Sequence, residues 1–238
     1  MMLRRLKMAG GGVAPPSGDP HWSNVLALLH FDGSDGGTTF VDEKGTAWAA
    51  GGNAQIDTDW AAFGQSMRCD GNGDYIQAAA AWPEIGANED FTLEFRIRLA
   101  AATGVQFIVG FGQLSGQAPG LLVIYNHSAG PGKLQVVFRG TQKHSSQSLV
   151  ANTDYAVCIE RKSGTGRIYI DGVVDSTHSG ITTAINLATN GQFIGCKPSY
   201  GGNTWALNGW IDELRFTKGV ARYGGAPYAV ATAPFPAG

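Results

Sequence analysis

The sequence carries little charge and has no long apolar run. Charged residues make up 15% of the 238 residues, well below the quarter that is usual in a soluble domain. The formal net charge is −2, which gives no reason to expect a nucleic acid as a partner. No apolar stretch approaches the roughly 18 residues of a membrane-spanning helix, so membrane insertion is not expected.

Cysteines are also few. Cys69, Cys158 and Cys196 are an odd number and lie far apart, without the spacing of a CxxC motif or a metal site. They are predicted to be buried thiols in a protein made in a reducing compartment. The opening residues, MMLRRLKMAGGG, include a basic cluster but lack the apolar stretch of a secretory signal.

Catalytic patterns are missing as well. Glycoside hydrolysis needs two carboxyl groups facing each other across the sugar. Glu94 alternates with Arg96 and Arg98 on a face that the pattern predicts to be solvated. Asp212 and Glu213 are adjacent, which predicts that they point to opposite faces of a strand. The sequence contains neither GxSxG nor HExxH. We therefore expect a protein that is not an enzyme.

What the sequence has in quantity is glycine and alternating strands. There are 35 glycines, about twice the usual share. Residues 91–99 alternate apolar and polar side chains, as does a strand with one buried face. Asp171-Gly172 lies between two β-branched runs, which is a strong hairpin signal. About a dozen such segments and no convincing helix predict an all-β fold, a two-sheet antiparallel sandwich.

The ends of the chain differ from this pattern. Residues 1–20 are rich in Gly and Pro, and Arg4, Arg5 and Lys7 make them basic. This arm is interpreted either as a disordered tail or as a docking peptide that orders on a partner. Residues 21–238 are assigned to the sandwich, with an extended, proline-containing C-terminus.

One acidic residue is difficult to place. In residues 209–223, alternation puts Trp210, Asp212 and Leu214 on one face of a strand. An unpaired carboxylate among apolar neighbours is costly. Asp212 therefore binds a metal, caps a backbone turn, or reaches water through a bulge.

Several motifs together resemble one family, the laminin-G-like branch of the concanavalin A-like lectin/glucanase superfamily. The motifs are LLHFDG (28–33), FVDEKG (40–45), CDGNGDYI (69–76), DFTLEFRIRL (90–99), RIYIDGVV (167–174), FIGC (193–196) and NGWIDELRFTKGVARY (208–223). The resemblance implies a jelly-roll of two antiparallel sheets. It implies carbohydrate or protein binding in most members and hydrolysis in a minority. Some relatives hold a structural Ca²⁺ at the sandwich edge, and Asp42 and Asp212 match the suspected ligand positions.

Two segments have the composition of a sugar site, in which an aromatic ring stacks on the sugar and polar side chains bind its hydroxyls. One is residues 197–205, with Tyr200, Asn203 and Trp205, and the other is Tyr125-Asn126-His127. The alternative is that Tyr125 and Trp205 are core or rim packing and the polar residues form turns.

The chain is also similar to modules of tailed-bacteriophage structural proteins, through its arm, its FDG opening and its VARY…PFP ending. That similarity implies a multi-copy or homo-oligomeric virion protein, either a head decoration or a tail-fibre or tail-tip module. It would be assembled in the host cytoplasm, anchored to other virion proteins through the arm, and would display its sandwich toward cell-surface glycans. A bacterial carbohydrate-binding lectin-like module outside any virion is the alternative.

Overall fold

The computed structural model describes residues 18–78, 80–112, 120–127, 130–188, 191–196 and 205–238. Within these ranges the chain forms fifteen strands and almost no helix, with a 3-10 turn at Trp22–Asn24, which confirms the all-β prediction. No helix in the same ranges has the length and apolar character of a membrane span. In chain order the strands are β1 (Val25–Leu29), β2 (Ala49–Gly51), β3 (Gln55–Asp57), β4 (Ser66–Asp70), β5 (Tyr75–Ala78), β6 (Phe91–Leu99), β7 (Gln106–Phe111), β8 (Leu121–Tyr125), β9 (Lys133–Phe138), β10 (Thr141–Ser148), β11 (Asp154–Lys162), β12 (Thr165–Ile170), β13 (Val173–His178), β14 (Gln192–Ile194) and β15 (Asn208–Lys218).

The strands form two antiparallel sheets, as predicted. The eight-stranded sheet has the order β13-β12-β11-β6-β15-β4-β3, and β1 also pairs with β15. The seven-stranded sheet has the order β10-β9-β8-β7-β14-β5-β2. The closing strand β15 therefore lies in the middle of its sheet, between β6 and β4. This architecture fits a concanavalin A-like jelly-roll sandwich.

The core lies between the two sheets and follows the alternation of the sequence. Strand β6 contributes five side chains to it, and each is at most 1% exposed. Strands β7, β8 and β9 contribute the opposing layer. The β6 side chains are Phe91, Leu93, Phe95, Ile97 and Leu99, and the opposing layer includes Val109, Phe111, Val123, Val136 and Phe138.

The hairpin predicted at Asp171-Gly172 joins β12 to β13. Both residues have positive φ, 53° and 78°, as a type I′ turn requires. The Asp171 carboxylate also accepts a hydrogen bond of 2.9 Å from the Ala156 N–H. This bond connects the turn to strand β11 at the neighbouring position of the sheet.

Part of the outer face of the eight-stranded sheet, around Glu94 and Arg96 of β6 and Ala156 of β11, is covered by the C-terminal segment, residues 224–238, here called the strap. The strap contains no strand, and backbone hydrogen bonds hold it in place. Tyr228 N donates to Gly172 O at 2.8 Å, and Ala237 O accepts from Asp19 N at 3.0 Å. Because of this cover Glu94 is 2% exposed, so the prediction that Glu94 is solvated is wrong, whereas Arg96 and Arg98 on the same face are partly exposed.

At one side of the sandwich the edge strands of the two sheets, β10 and β13, lie next to each other. The carboxylate of Asp175 on β13 accepts hydrogen bonds from the backbone N–H groups of Ser146 and Gln147 on β10, at 2.6 and 2.8 Å. One side chain therefore bridges the edges of the two sheets.

Candidate functional site

Tyr125, one of the predicted ligand-binding residues, points into the core. It is 1% exposed, and its hydroxyl donates toward the carbonyl oxygens of Ala102 and Leu149, at 3.2 and 3.3 Å. Burial raises the pKa of this hydroxyl. The structure thus places Tyr125 in the packing alternative, with no face open to a ligand.

Asn126 shapes a turn. Its φ is 58°, and its side chain accepts a bond from Gly132 N at 2.6 Å and donates to Gly104 O at 2.9 Å. Small polar residues tolerate this left-handed conformation, so the pattern matches a turn former.

His127 and Trp205 do come together. Their rings meet edge to face, with centroids 5.6 Å apart. Trp205 packs on an apolar cluster on the outer face of the seven-stranded sheet, built from Phe107, Leu122, Ile124, Val137 and Phe193. Tyr200 and Asn203 lie outside the described residues, so the ligand role predicted for them stays a prediction.

The carboxylate of Asp42, a predicted calcium ligand, is bonded to three N–H donors. Its Oδ1 accepts from Leu28 N at 3.1 Å and Lys44 N at 2.9 Å. Its Oδ2 accepts from the indole N–H of Trp48 at 3.1 Å. These bonds tie the loop after β1 to the end of that strand.

The carboxylate of Asp212 is bonded in the same way. Its Oδ2 accepts from Ala62 N and Phe63 N, at 2.8 and 2.9 Å, and its Oδ1 accepts from Glu213 N at 2.7 Å. Asp212 thus caps the backbone turn at residues 62–63, one of the three alternatives. Among the described residues no group of three His, Cys, Asp or Glu side chains could hold a metal ion, and the shared Ca²⁺ of Asp42 and Asp212 stays a prediction.

A β-bulge explains why Asp212 is not on the apolar face. The pairing of β15 with β6 shifts between Asp212 and Arg215, and Glu213 has a φ of 50°. Ile211 and Leu214 therefore both point into the core, whereas Asp212 lies on the outer face. The predicted grouping of Trp210 and Asp212 with Leu214 is wrong, because the bulge inserts one residue into the alternation.

A set of buried charges that sequence reasoning missed lies under the strap. Arg215 donates to Glu94 Oε2 at 2.8 and 3.0 Å and to Asp19 Oδ2 at 3.0 Å. Arg222 makes a two-pronged contact with the same Asp19, at 2.7 and 3.1 Å. Asp19, Glu94, Arg215 and Arg222, here called the buried ion network, hold the chain at residue 19 against the sheet. An aspartate and two arginines distant in sequence give no local signal of this contact.

Glu160 extends the buried charges toward the strap. It accepts from Tyr169 OH at 3.0 Å and from the backbone N–H groups of Tyr223 and Gly224, at 2.8 and 2.9 Å. Tyr223 donates its hydroxyl to Glu94 and stacks on Tyr228 with centroids 3.6 Å apart. Each carboxylate on this covered face is thus bonded to an arginine, a tyrosine or the backbone.

A second contact holds the strap through the bulge. His30 Nδ1 lies 2.6 Å from Glu213 Oε1, and the other carboxylate oxygen accepts from Phe235 N at 2.6 Å. The hydrogen bond with Glu213, helped by the charges of Glu43 and Asp32, raises the pKa of His30. Next to it, burial raises the pKa of Asp212 to about 7, with a smaller contribution from the charge of Glu213, although its backbone donors act in the opposite direction.

A polar concavity lies on the eight-stranded sheet at the side away from the strap, where β3 and β4 are located. This polar cleft has a volume of about 450 Å³ and is lined by Thr38, Gly52, Asn53, Gln55, Arg68 and Asp70. The Arg68 guanidinium stacks on Trp210, 4.6 Å from the ring centroid. The Trp210 indole N–H donates to Asp57 Oδ1 at 3.1 Å, which fixes the ring.

Sequence reasoning missed the polar cleft, although a signal was present. In strand β4, Met67 and Cys69 are buried, whereas Arg68 and Asp70 between and after them are not. Residues two apart on a strand point to the same side, so alternation alone was enough to place these two polar side chains on one face. What alternation could not predict was which strand lies beside β4 and supplies Trp210.

A family model described as the concanavalin A-like lectin/glucanases superfamily, of the laminin G type, matches residues 70–221. The chain belongs to the concanavalin A-like lectin/glucanases superfamily. The match runs from Asp70, the last residue of β4, to Ala221, and so includes all of β15. No curated protein matches the chain by sequence.

Several solved structures share the fold at low identity. Domain 4 of AbnA, a GH43 extracellular arabinanase from Geobacillus stearothermophilus in complex with arabinotriose, is 15% identical with a TM-score of 0.61, over 83% of this chain and 94% of that one. The binding domain of Paraclostridial Mosquitocidal Protein 1 is 14% identical with a TM-score of 0.62, over 88% and 50%. Trypanosoma rangeli sialidase in complex with sialic acid is 16% identical with a TM-score of 0.58, over 82% and 31%. The chain thus spans nearly all of the first structure but half or less of the other two, and the likeness shows the fold alone.

Proposed function

We propose that the chain is a non-catalytic lectin-like module that binds a glycan in the polar cleft. The observation that carries the proposal is the chemistry of the cleft. Asn53 and Gln55 can both donate and accept, Arg68 donates, and Asp70 accepts. Sugar hydroxyls need both kinds of partner, and Trp210 beside Arg68 offers an aromatic edge.

The arrangement of carboxylates supports binding rather than hydrolysis. Asp70 is exposed at the cleft, but its neighbour Asp74 is fully buried. Asp74 accepts from the backbone N–H groups of Asn53 and Asp70, at 2.5 and 2.6 Å. A second carboxyl group positioned across a sugar, as hydrolysis requires, is therefore not supplied by Asp74.

The test of glycan binding is an array of bacterial surface polysaccharides and their fragments, probed with the full chain. We expect binding, and we expect Gln55→Ala to weaken it about three- to tenfold, because the loss of one hydrogen bond is worth about 0.5–1.5 kcal/mol. Gln147→Ala is the matched control, since Gln147 is an exposed glutamine on β10, an edge strand of the other sheet. An array on which the wild type binds no glycan would refute the proposal, as would equal effects of the two variants.

The place where this module works is a further part of the proposal. The resemblance to phage structural modules supports a virion protein displayed in many copies and anchored by Arg4, Arg5 and Lys7. A bacterial lectin-like module is the second candidate, and neighbouring capsid, portal and tail genes, or instead a glycan operon, distinguish the two.

Deletion of residues 1–17 tests the anchor and leaves Asp19 in the buried ion network. The melting temperature of the deleted chain should stay close to that of the full chain, because the network is intact. Its copy number in purified particles should fall to background. Normal copy number without residues 1–17 would rule out the anchor, and the full chain's absence from particles would rule out the virion role.

A further inference from the structure

The outer face of the eight-stranded sheet carries a transverse row of five side chains, one from each of five neighbouring strands. The pairing registers are continuous along it. Gln55 on β3 pairs with Arg68 on β4, which pairs with Trp210 on β15. Trp210 pairs with Arg98 on β6, which pairs with Asp154 on β11.

Each member of the row is adjacent in sequence to a side chain of the core. The inward neighbours are Ile56, Met67, Ile211, Ile97 and Tyr155. Since successive side chains on a strand point to opposite faces, the row points outward. None of the five is buried: Gln55, Arg68, Trp210 and Arg98 are partly exposed, and Asp154 is exposed.

The row joins two cavities. Gln55 and Arg68 line the polar cleft at one end. Asp154 lines a second cavity, of about 220 Å³, whose wall also includes Trp60, Phe63 and Arg96. Neighbouring strands are about 4.8 Å apart, so the four steps of the row span about 19 Å. That length far exceeds what a single sugar ring can contact.

The row itself holds two arginines and one aspartate, and Asp70 beside it in the polar cleft balances the remaining positive charge. Arg98 donates to Asp154 Oδ1 at 2.9 Å, and the charge of Arg68 acts on Asp70. An exposed pair of this kind is weakly bound and exchanges readily with another hydrogen-bonding partner. Counted with Asp70, this set of donors, acceptors and one aromatic ring has no net charge, which suits a neutral polyhydroxylated chain rather than an anionic polymer.

We propose that an extended, neutral oligosaccharide lies across the strands along this row, from the polar cleft over Trp210 to the cavity beside Asp154. The proposal rests on the glycan-binding function proposed above and specifies its ligand as a linear chain of several sugar units. Trp210 is the central aromatic contact, since Asp57 fixes its ring and Arg68 covers one of its faces. Arg98 and Asp154 form the distal subsite.

The experiment measures dissociation constants by calorimetry for arabinose, arabinotriose and longer linear arabino-oligosaccharides, together with neutral fragments of increasing length from the array. The wild type should bind longer fragments progressively more tightly, at low and high salt alike. Trp210→Ala should lose about thirtyfold or more, as expected for a central aromatic anchor. Arg98→Ala should abolish the gain with length while keeping the binding of the shortest fragments.

Arg139→Ala is the matched control for Arg98→Ala, because Arg139 is an exposed arginine in the turn after β9. It should bind as the wild type does.

Glycan binding without length dependence would overturn the extended site but leave glycan binding itself intact. Loss of binding in His127→Ala with retention in Arg98→Ala would place the site on the seven-stranded sheet. Binding that is restricted to acidic glycans and abolished by salt would overturn the neutral class, and no binding to any fragment would overturn both proposals.

Discussion

Arg215→Met should lower the free energy of unfolding by about 3–5 kcal/mol, because it removes one partner from a buried set of charges. Arg215 is 6% exposed and bridges Glu94, 2% exposed, to Asp19, 6% exposed. Methionine fills a similar volume but leaves Glu94 without its main cation. Asp19 would keep Arg222, so the residue that loses most is Glu94. Urea unfolding at neutral pH measures the change.

Arg98→Met is the matched comparison, because Arg98 belongs to an ion pair on the same sheet whose partner Asp154 is 63% exposed. Exposed pairs contribute at most about 1 kcal/mol. Arg215→Met combined with Glu94→Gln should recover part of the loss, since the unpaired carboxylate is gone. If Arg215→Met costs no more than Arg98→Met, the network does not stabilise the fold as described.

The free energy of unfolding should fall as the pH rises from about 5 to 8, because two groups near the bulge, Asp212 and His30, lose protons. Burial raises the pKa of Asp212 from 3.8 to about 7, so the folded chain holds this proton more tightly than the unfolded chain. The stabilisation is complete below pH 3.8 and is lost as the pH rises through about 7. Each pKa unit corresponds to about 1.4 kcal/mol, so the full effect is about 4 kcal/mol, of which about 3 kcal/mol is lost above pH 5.

His30 acts in the same direction. Its bond with Glu213 raises its pKa above 6.5, so its contribution is present below 6.5 and is lost as the pH rises through the folded value. Asp19 and Glu89 act oppositely, and only under acid conditions. Burial raises the pKa of these two carboxyls, but hydrogen bonds from Arg222 to Asp19 and from Lys218 to Glu89 help to lower it below its usual value. The stabilisation that the two ionised carboxylates give is lost as the pH falls through their folded pKa values.

The measurement is urea unfolding at several pH values between 5 and 8 for the wild type and Asp212→Asn. The variant should be less stable overall, because an amide cannot accept all three backbone bonds. Its loss of stability between pH 5 and 8 should be much smaller than that of the wild type. Equal slopes would mean that the three N–H donors keep Asp212 ionised throughout. The same urea unfolding measured with calcium and with chelator tests for the ion predicted at Asp42 and Asp212.

The core could be predicted from the sequence because it depends on local alternation. The five β6 side chains and the Asp171-Gly172 turn follow from a period of two and from turn chemistry, which act over a few residues. The same reasoning failed at Asp212, because one residue with a positive φ, Glu213, reverses the alternation that follows it. A glutamate between Asp212 and Leu214 has no sequence feature, such as a glycine, that would indicate a bulge.

Burial of Glu94 could not be predicted for a different reason. Its strand looks half-solvated in sequence, and only the return of the chain at residues 224–238, more than a hundred residues later, covers it. The polar cleft has the same origin: Arg68 and Trp210 are far apart in sequence and meet through the pairing of β4 with β15. Long-range pairing decides both features, and alternation contains no information about it.

The bridge from Asp175 to strand β10 bears on self-association. A strand at the edge of a sheet presents free N–H and C=O groups to which a strand of another molecule can add. Asp175 occupies the N–H groups of Ser146 and Gln147 and places a negative charge beside them. An approaching strand would have to displace a charged hydrogen-bond acceptor before it could pair there. The carboxylate is therefore expected to protect this edge against the addition of a strand from another copy of the chain.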